Sequence, residues 1–227
     1  MADLPAFEFP PYRLSGTVYG TLLNDPQALA ALGTTVHQAP YKAPPKAPVL
    51  YVKPRNTLAE SGDALVLPSG WQALSVGANL GLVLGRTASR VPAERAMDFI
   101  AGYVIVNDVS LPHQNFYRPS IRFIARDGFC PIGQFVKHAG SSMNPDALAV
   151  RVYVDDKLVQ STSTAGRVRP TAVLLSDVSD FMTLNAGDVL MLGAAAGPPP
   201  VRAGECVAIE IEGLGVLENR VVSEGSV

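Results

Sequence analysis

Charge is scarce in this chain of 227 residues: Asp, Glu, Lys and Arg make up 17% of it, and the formal net charge is -2. So small a balance excludes the basic surface that nucleic-acid binding needs, and 48% hydrophobic content excludes a disordered chain. Cysteine is scarcer still. Cys130 and Cys206 are far apart and share no C-x-x-C spacing, which excludes a zinc ribbon and a disulfide scaffold and leaves two reduced, half-buried thiols. No apolar run approaches the roughly 20 residues of a membrane span, and "MADLPAFEFP" lacks the basic-then-apolar order of a signal peptide. A soluble cytoplasmic chain is expected, with neither nucleic acid nor membrane as partner. Also missing are G-x-G-x-x-G, a P-loop, G-x-S-x-G and H-E-x-x-H, so nucleotide binding, an α/β-hydrolase triad and a zincin site have no support.

What is present reads as an N-terminal arm, residues 1–15, followed by a single domain over 16–227. "YKAPPKAP" is too rich in proline to be helical and reads as a stiff connector. Two segments predict helices. "VPAERAMDFIAGY" has Pro92 at a first-turn position with Gly102 as its stop, and "RPTAVLLSDVSDFMTL" places Val173, Leu174, Val178, Phe181 and Met182 at helical spacing. Elsewhere, short alternating or continuous apolar runs predict strands, among them "GYVIVNDVS", "AVRVYVDDKLVQ" with an Asp155-Asp156 turn, "NAGDVLMLG" and "GECVAIEIEGLGVLENRVV". Many strands and few, non-alternating helices make the fold class α+β, mainly β.

Polar groups that could carry chemistry cluster after "GYVIV". Asp108 emerges from a buried strand, where a carboxylate either binds a hard cation or caps a turn. Arg118, Arg122 and Arg126 follow at four-residue intervals and suit a dicarboxylate substrate, or internal pairing with acids such as Asp127. His113 is either an acid/base group or a solvated loop residue, whereas His37 and His138 read as surface residues.

Four ordered motifs, "GYVIVNDVS", "RDGFCPIG", "LNAGDVLMLG" and "IEIEGLGVLENRVV", resemble the fumarylacetoacetate hydrolase superfamily over roughly Lys53 to Val222. "YKAPPKAPVLYVKPRNT" and "NDVSLPHQNFYRPSIRFIARDGFCPIG" look most like the N-terminal half of its 4-hydroxyphenylacetate (homoprotocatechuate) isomerase/decarboxylase branch. The resemblance implies a layered β roll with a few short helices. It also implies a divalent cation, usually Mg²⁺, held by an E-x-E pair and an aspartate and acting on 2-oxo-acid substrates as a Lewis acid.

Where family members read approximately "EYEAELAVVIG", this chain has "LSVGANLGLVLG". Gly77 and Asn79 fall on the two glutamate positions, and Asp108 alone matches a ligand. Losing two anionic oxygens weakens a hard-cation site by several kcal/mol, so no tightly bound metal is expected unless another acid such as Glu60 or Asp63 moves in. The family lysine before the "D-G/T-F-C-P" aspartate falls on Ile124, and the "TGTP" loop becomes Leu192-Gly193-Ala194-Ala195, so groups that would hold a carboxylate are also missing. By resemblance, the chain is a subunit of a 2-hydroxyhepta-2,4-diene-1,7-dioate isomerase/5-oxopent-3-ene-1,2,5-tricarboxylate decarboxylase type of enzyme. It would act in a homo-oligomer, or beside a homologous catalytic subunit. The alternatives are a metal-independent isomerase using His113 or Asp108 with Arg118 and Arg122, and a metal-dependent acylpyruvate hydrolase or oxaloacetate decarboxylase.

Overall fold

Short runs rich in Val, Leu and Ile, punctuated by Gly and Pro, form strands throughout. The structure, a computed structural model, describes residues 16–113, 121–134, 136–138 and 143–225. In chain order the strands are β1 (Val18–Leu22), β2 (Val49–Lys53), β3 (Leu58–Glu60), β4 (Ala64–Leu67), β5 (Leu74–Ser75), β6 (Ala78–Leu84), β7 (Ile100–Asn107) and β8 (Cys130–Ile132). They continue as β9 (Val136–Lys137), β10 (Ala149–Val154), β11 (Lys157–Ser163), β12 (Val189–Met191), β13 (Pro200–Val201), β14 (Cys206–Ile211) and β15 (Gly215–Ser223). The helices are α1 (Pro26–Ala30), α2 (Ile121–Ile124) and α3 (Thr171–Phe181). No helix among the described residues is long and apolar enough to cross a membrane.

One sheet runs β2-β1-β12-β6-β7-β8-β3, with β9 also on β7; a second runs β11-β10-β14-β15-β4; β13 and β5 form a short ribbon. The mainly-β, α+β expectation holds. Strand β6 sits near the middle of the first sheet and all of its residues are buried, which is why "ANLGLVL" reads as a nearly continuous apolar run rather than an alternation. At Gly81 an added Cβ would meet the side chains of Val104, Val106 and Val189 at 2.7 to 2.9 Å, so the absence of a side chain there lets β6 pack. The second sheet alternates instead. Val150 and Val152 of β10, Ile209 and Ile211 of β14, and Leu217 and Val221 of β15 face the main core with Leu80, Leu82, Tyr103 and Ile105 of the first sheet. Asp155 and Asp156 both adopt positive φ, 46° and 62°, and close the β10–β11 hairpin as their pairing predicts.

The second predicted helix is α3; Leu174, Leu175 and Val178 are buried while Val173 and Phe181 are exposed. Its first turn is held from outside, by Asp146 accepting from the Thr171 N–H and hydroxyl at 2.8 Å each. The first predicted helix is corrected: residues Ala93–Phe99 form a 3-10 turn, and Gly102 lies inside β7 rather than closing a helix. The segment enters β7 directly at Ile100, so there is no length for regular α turns, and its Arg95 Nε to Asp98 Oδ2 pair, 2.6 Å, matches the three-residue period.

Truncating Leu82, fully buried at the junction of the sheets, removes contacts on a strand that cannot relax. Leu82→Ala is expected to lower stability by about 3 kcal/mol, read as a drop in urea midpoint at unchanged m-value.

Candidate active site

Tyr51 and Lys53 lie two residues apart on β2 and therefore project to the same side. Both reach one carboxylate, that of Asp108, which follows the last residue of β7. Lys53 Nζ stands 2.7 Å from Asp108 Oδ1, and the Tyr51 hydroxyl donates to Oδ2. The same ammonium donates to the carbonyls of Val109 at 2.8 Å and of Ile124 and Phe129 at 2.9 Å. The three carbonyls take up its three N–H donors and Asp108 supplies the counter-charge, so a fully buried lysine side chain is compensated. Asp108 is therefore no turn cap. Its carboxylate is the hub of an internal ion pair.

The neighbours are arranged around this group. Tyr51 lies over Gly20, where any Cβ would run into its ring. Burial and the adjacent Asp108 carboxylate raise the Tyr51 phenol well above its ordinary range, so at neutral pH it is a protonated donor. The Cys130 thiol is pushed up to about 12 by burial, with Lys53 working against that shift and Asp108 adding to it. Gly77 accepts the Asp108 N–H on its carbonyl, 2.9 Å, and a Cβ at this position would lie 2.6 Å from the Asp108 carbonyl oxygen. Asn79, almost fully buried, accepts the Gly193 N–H on its side-chain oxygen at 2.9 Å.

Asp108 and Tyr51 open onto a cavity of about 1350 Å³. Ser75, Gly77, Ser110, His113 and Thr21 share its wall, apolar residues of β1, β2 and α1 make up much of the rest, and the loop 194–198 closes another side. His113 is not a solvated loop residue: it is half-buried, its ring stacks on Phe123 with centroids 5.5 Å apart, and its Nδ1 donates to the Leu111 carbonyl at 2.9 Å. His138, read as a surface residue, is half-buried and shares a 2.9 Å hydrogen bond with the Tyr103 hydroxyl.

The arginines are distributed differently. Arg118 lies outside the described residues. Arg122 is exposed with its guanidinium 5.6 Å from the Phe123 ring centroid, and neither it nor Arg126 lines the cavity. Asp127 accepts from the Asn56 amide, 2.7 Å, and among the described residues no ion pair joins it to Arg126.

A divalent cation of the kind implied by the resemblance does not fit these residues. Asp108 spends one oxygen on Lys53 and the other on Tyr51, Gly77 has neither a side chain nor room for one, and the Asn79 oxygen is committed to Gly193. Glu60 and Asp63 do not move in; Asp63 accepts the Glu60 N–H at 2.7 Å, and neither lines the cavity. Among the described residues no group of three or more His, Cys, Asp or Glu side chains could hold a metal ion.

The sequence profile of the fumarylacetoacetate (FAA) hydrolase C-terminal family matches residues 17–222. The chain belongs to this family. It is 41% identical over 214 residues to the 4-hydroxyphenylacetate degradation bifunctional isomerase/decarboxylase of Escherichia coli, covering 94% of this chain and 49% of that protein. Thus the chain spans about half the length of the bifunctional relatives it matches. A solved 5-carboxymethyl-2-hydroxymuconate delta-isomerase from Mycobacterium smegmatis superposes with a TM-score of 0.78 at 29% identity, over 94% of this chain and 81% of that one. For a 2-hydroxyhepta-2,4-diene-1,7-dioate isomerase from Mycobacterium marinum the values are 0.74 and 26%, over 94% and 77%.

Sequence reasoning named Asp108, His113, Gly77 and Asn79, and missed Tyr51 and Lys53. The available signal was "VLYVKP", in which Tyr51 and Lys53 share one face of a strand, yet a lysine before a proline reads as a strand end entering solvent.

Two outcomes follow from the geometry. Lys53→Met leaves the Asp108 carboxylate without its buried counter-charge and is expected to cost about 3 to 5 kcal/mol in urea unfolding; Lys53→Met/Asp108→Asn recovers part of that loss. Against a thiol reagent at neutral pH, the half-exposed Cys206 reacts in the folded chain and Cys130 only after unfolding.

Proposed function

We propose that this chain is the isomerase-type half of a 4-hydroxyphenylacetate catabolic isomerase/decarboxylase, acting on a small 2-hydroxy or 2-oxo dicarboxylate without a tightly bound divalent cation. The observation that carries this is the Asp108 carboxylate, gripped by Lys53 and Tyr51 at the wall of a cavity large enough for such a molecule. Keto–enol isomerisation moves one proton from an enol oxygen to a carbon, and a fixed carboxylate can do both halves of that transfer. Asp108 takes the enol proton as the O–H bond breaks, leaving a dienolate. As the C=O bond forms, the two C=C bonds give way to one between them, the freed electron pair takes the proton back from Asp108 at the terminal carbon of the diene, and the carboxylate is restored. The Lys53 ammonium and the protonated Tyr51 hydroxyl fix the orientation of Asp108 and balance its charge between turnovers. His113, anchored by Phe123 and the Leu111 carbonyl on the same cavity, is the second proton-carrying position. Ile121, Ile124 and Ala125 bring the arginine-bearing segment to the cavity wall. Of its guanidinium groups, we assign Arg118 to the far carboxylate on charge alone.

Gly77 and Asn79, at the positions where the resemblance implies glutamates, support a second element. Decarboxylation, which in this family calls on a metal, would reside in a homologous subunit that retains the glutamates, so that two chains together do the work of one bifunctional relative. Acylpyruvate hydrolysis or oxaloacetate decarboxylation by this chain alone has no support from its ligand set.

Purified chain assayed with 2-hydroxyhepta-2,4-diene-1,7-dioate is expected to turn over equally with and without EDTA, and Asp108→Asn is expected to reduce kcat by about 10²-fold or more. Activity lost in EDTA and restored by Mg²⁺ would overturn the cation-free mechanism. No turnover until a homologous chain is added would leave the partner-subunit role alone standing.

A further inference from the structure

The cavity wall changes character away from Asp108. Around that carboxylate stand Tyr51, Ser75, Ser110 and His113. Roughly 7 Å along β2 from Tyr51, and on the same side of the strand, comes Val49, whose cross-strand partner is Leu22 of β1; both line the cavity. The next wall is α1. Ala31 and Leu32 prolong it with helical backbone angles, so Ala28, Ala31 and Leu32, three and four residues apart, share one face, and all three line the cavity. Ile121 and Ile124 add a further wall from one face of α2, whose end is fixed where the Ile124 carbonyl accepts from Lys53 at 2.9 Å.

These apolar side chains are not used by the core. No residue of α1 is buried, Leu22, Val49, Leu32 and Ile124 are only half-buried, and Ile121 is 65% exposed. Apolar groups left open on the walls of one cavity are stabilised when the hydrocarbon of a ligand covers them. There is room for one. A volume of about 1350 Å³ exceeds the roughly 300–1,000 Å³ of ordinary small-molecule pockets, so a short dicarboxylate seated at Asp108 leaves much of it unfilled.

We propose that the cavity holds a second, apolar subsite, formed by Leu22, Val49, Leu32, Ile121 and Ile124, and that the chain therefore binds 2-oxo acids carrying an unbranched hydrocarbon tail. The 2-oxo acid head rests on the function proposed above. Selection of the tail does not, because it is made by elements other than those that hold Asp108.

Isothermal titration of the full chain with unbranched 2-oxo acids, from 2-oxobutanoate to 2-oxooctanoate, reads the subsite directly. Each added methylene is expected to lower Kd about fourfold. Leu32→Ser and, independently, Ile121→Ser replace side chains outside the core, and each is expected to cut that gain to about twofold per methylene while the circular dichroism spectrum stays native-like. Should one variant not fold, the other carries the comparison. No binding by any member of the series, a Kd that does not change with length, or the full gain retained in a folded variant would overturn the subsite; the last of these marks nonspecific association of the tail. A chain that turns over 2-hydroxyhepta-2,4-diene-1,7-dioate but shows a flat series keeps its isomerase function and loses the subsite. A steep series, blunted by Leu32→Ser, in a chain without turnover keeps the subsite and sinks the isomerase function.

Discussion

The ion pair between Lys53 and Asp108 is the contact around which the site is organised. A buried ammonium is tolerated only when its donors are used, and here they hold together the exit of β7, the end of α2 and the entry to β8. The geometry of three chain segments therefore depends on one side chain of β2. The pair also limits what else the site can hold. A carboxylate already neutralised from within the fold, with partners on both oxygens, is a poor anchor for a second cation. Tyr51 adds to this by staying protonated, a state that burial and the neighbouring carboxylate enforce together.

Much of the fold was legible in the sequence because its signals are local. The Asp155-Asp156 hairpin, the inward alternation of β10 and β14 and the apolar spacing of α3 each depend on residues close in the chain. The 3-10 turn at Ala93–Phe99 was misread for the complementary reason: its composition favours an α-helix, and only the immediate start of β7 denies it the length. The site was legible by halves. Asp108 and the missing glutamates stand out by type and position, but the grip on Asp108 comes from residues more than fifty positions upstream, and no local pattern marks Lys53 as buried.

Asn79, at a position where the resemblance implies a glutamate, has a structural task. A glutamate there would bring an anion into a strand that is buried along its whole length, whereas the carboxamide accepts a backbone N–H and ties the cavity loop to the central sheet. At 77 and 79 the site is thus built from small and neutral groups, and the charge of Asp108 is paired with Lys53.

Gly77 limits what a single substitution could add to the site. Because a Cβ there would press within 2.6 Å of the Asp108 carbonyl oxygen, the backbone has closed into the space a side chain would occupy. A glutamate introduced at 77 would meet that barrier, and one introduced at 79 would first have to release the loop at Gly193. A single substitution at either position therefore disturbs the backbone around Asp108 or the cavity loop before it offers any cation an oxygen.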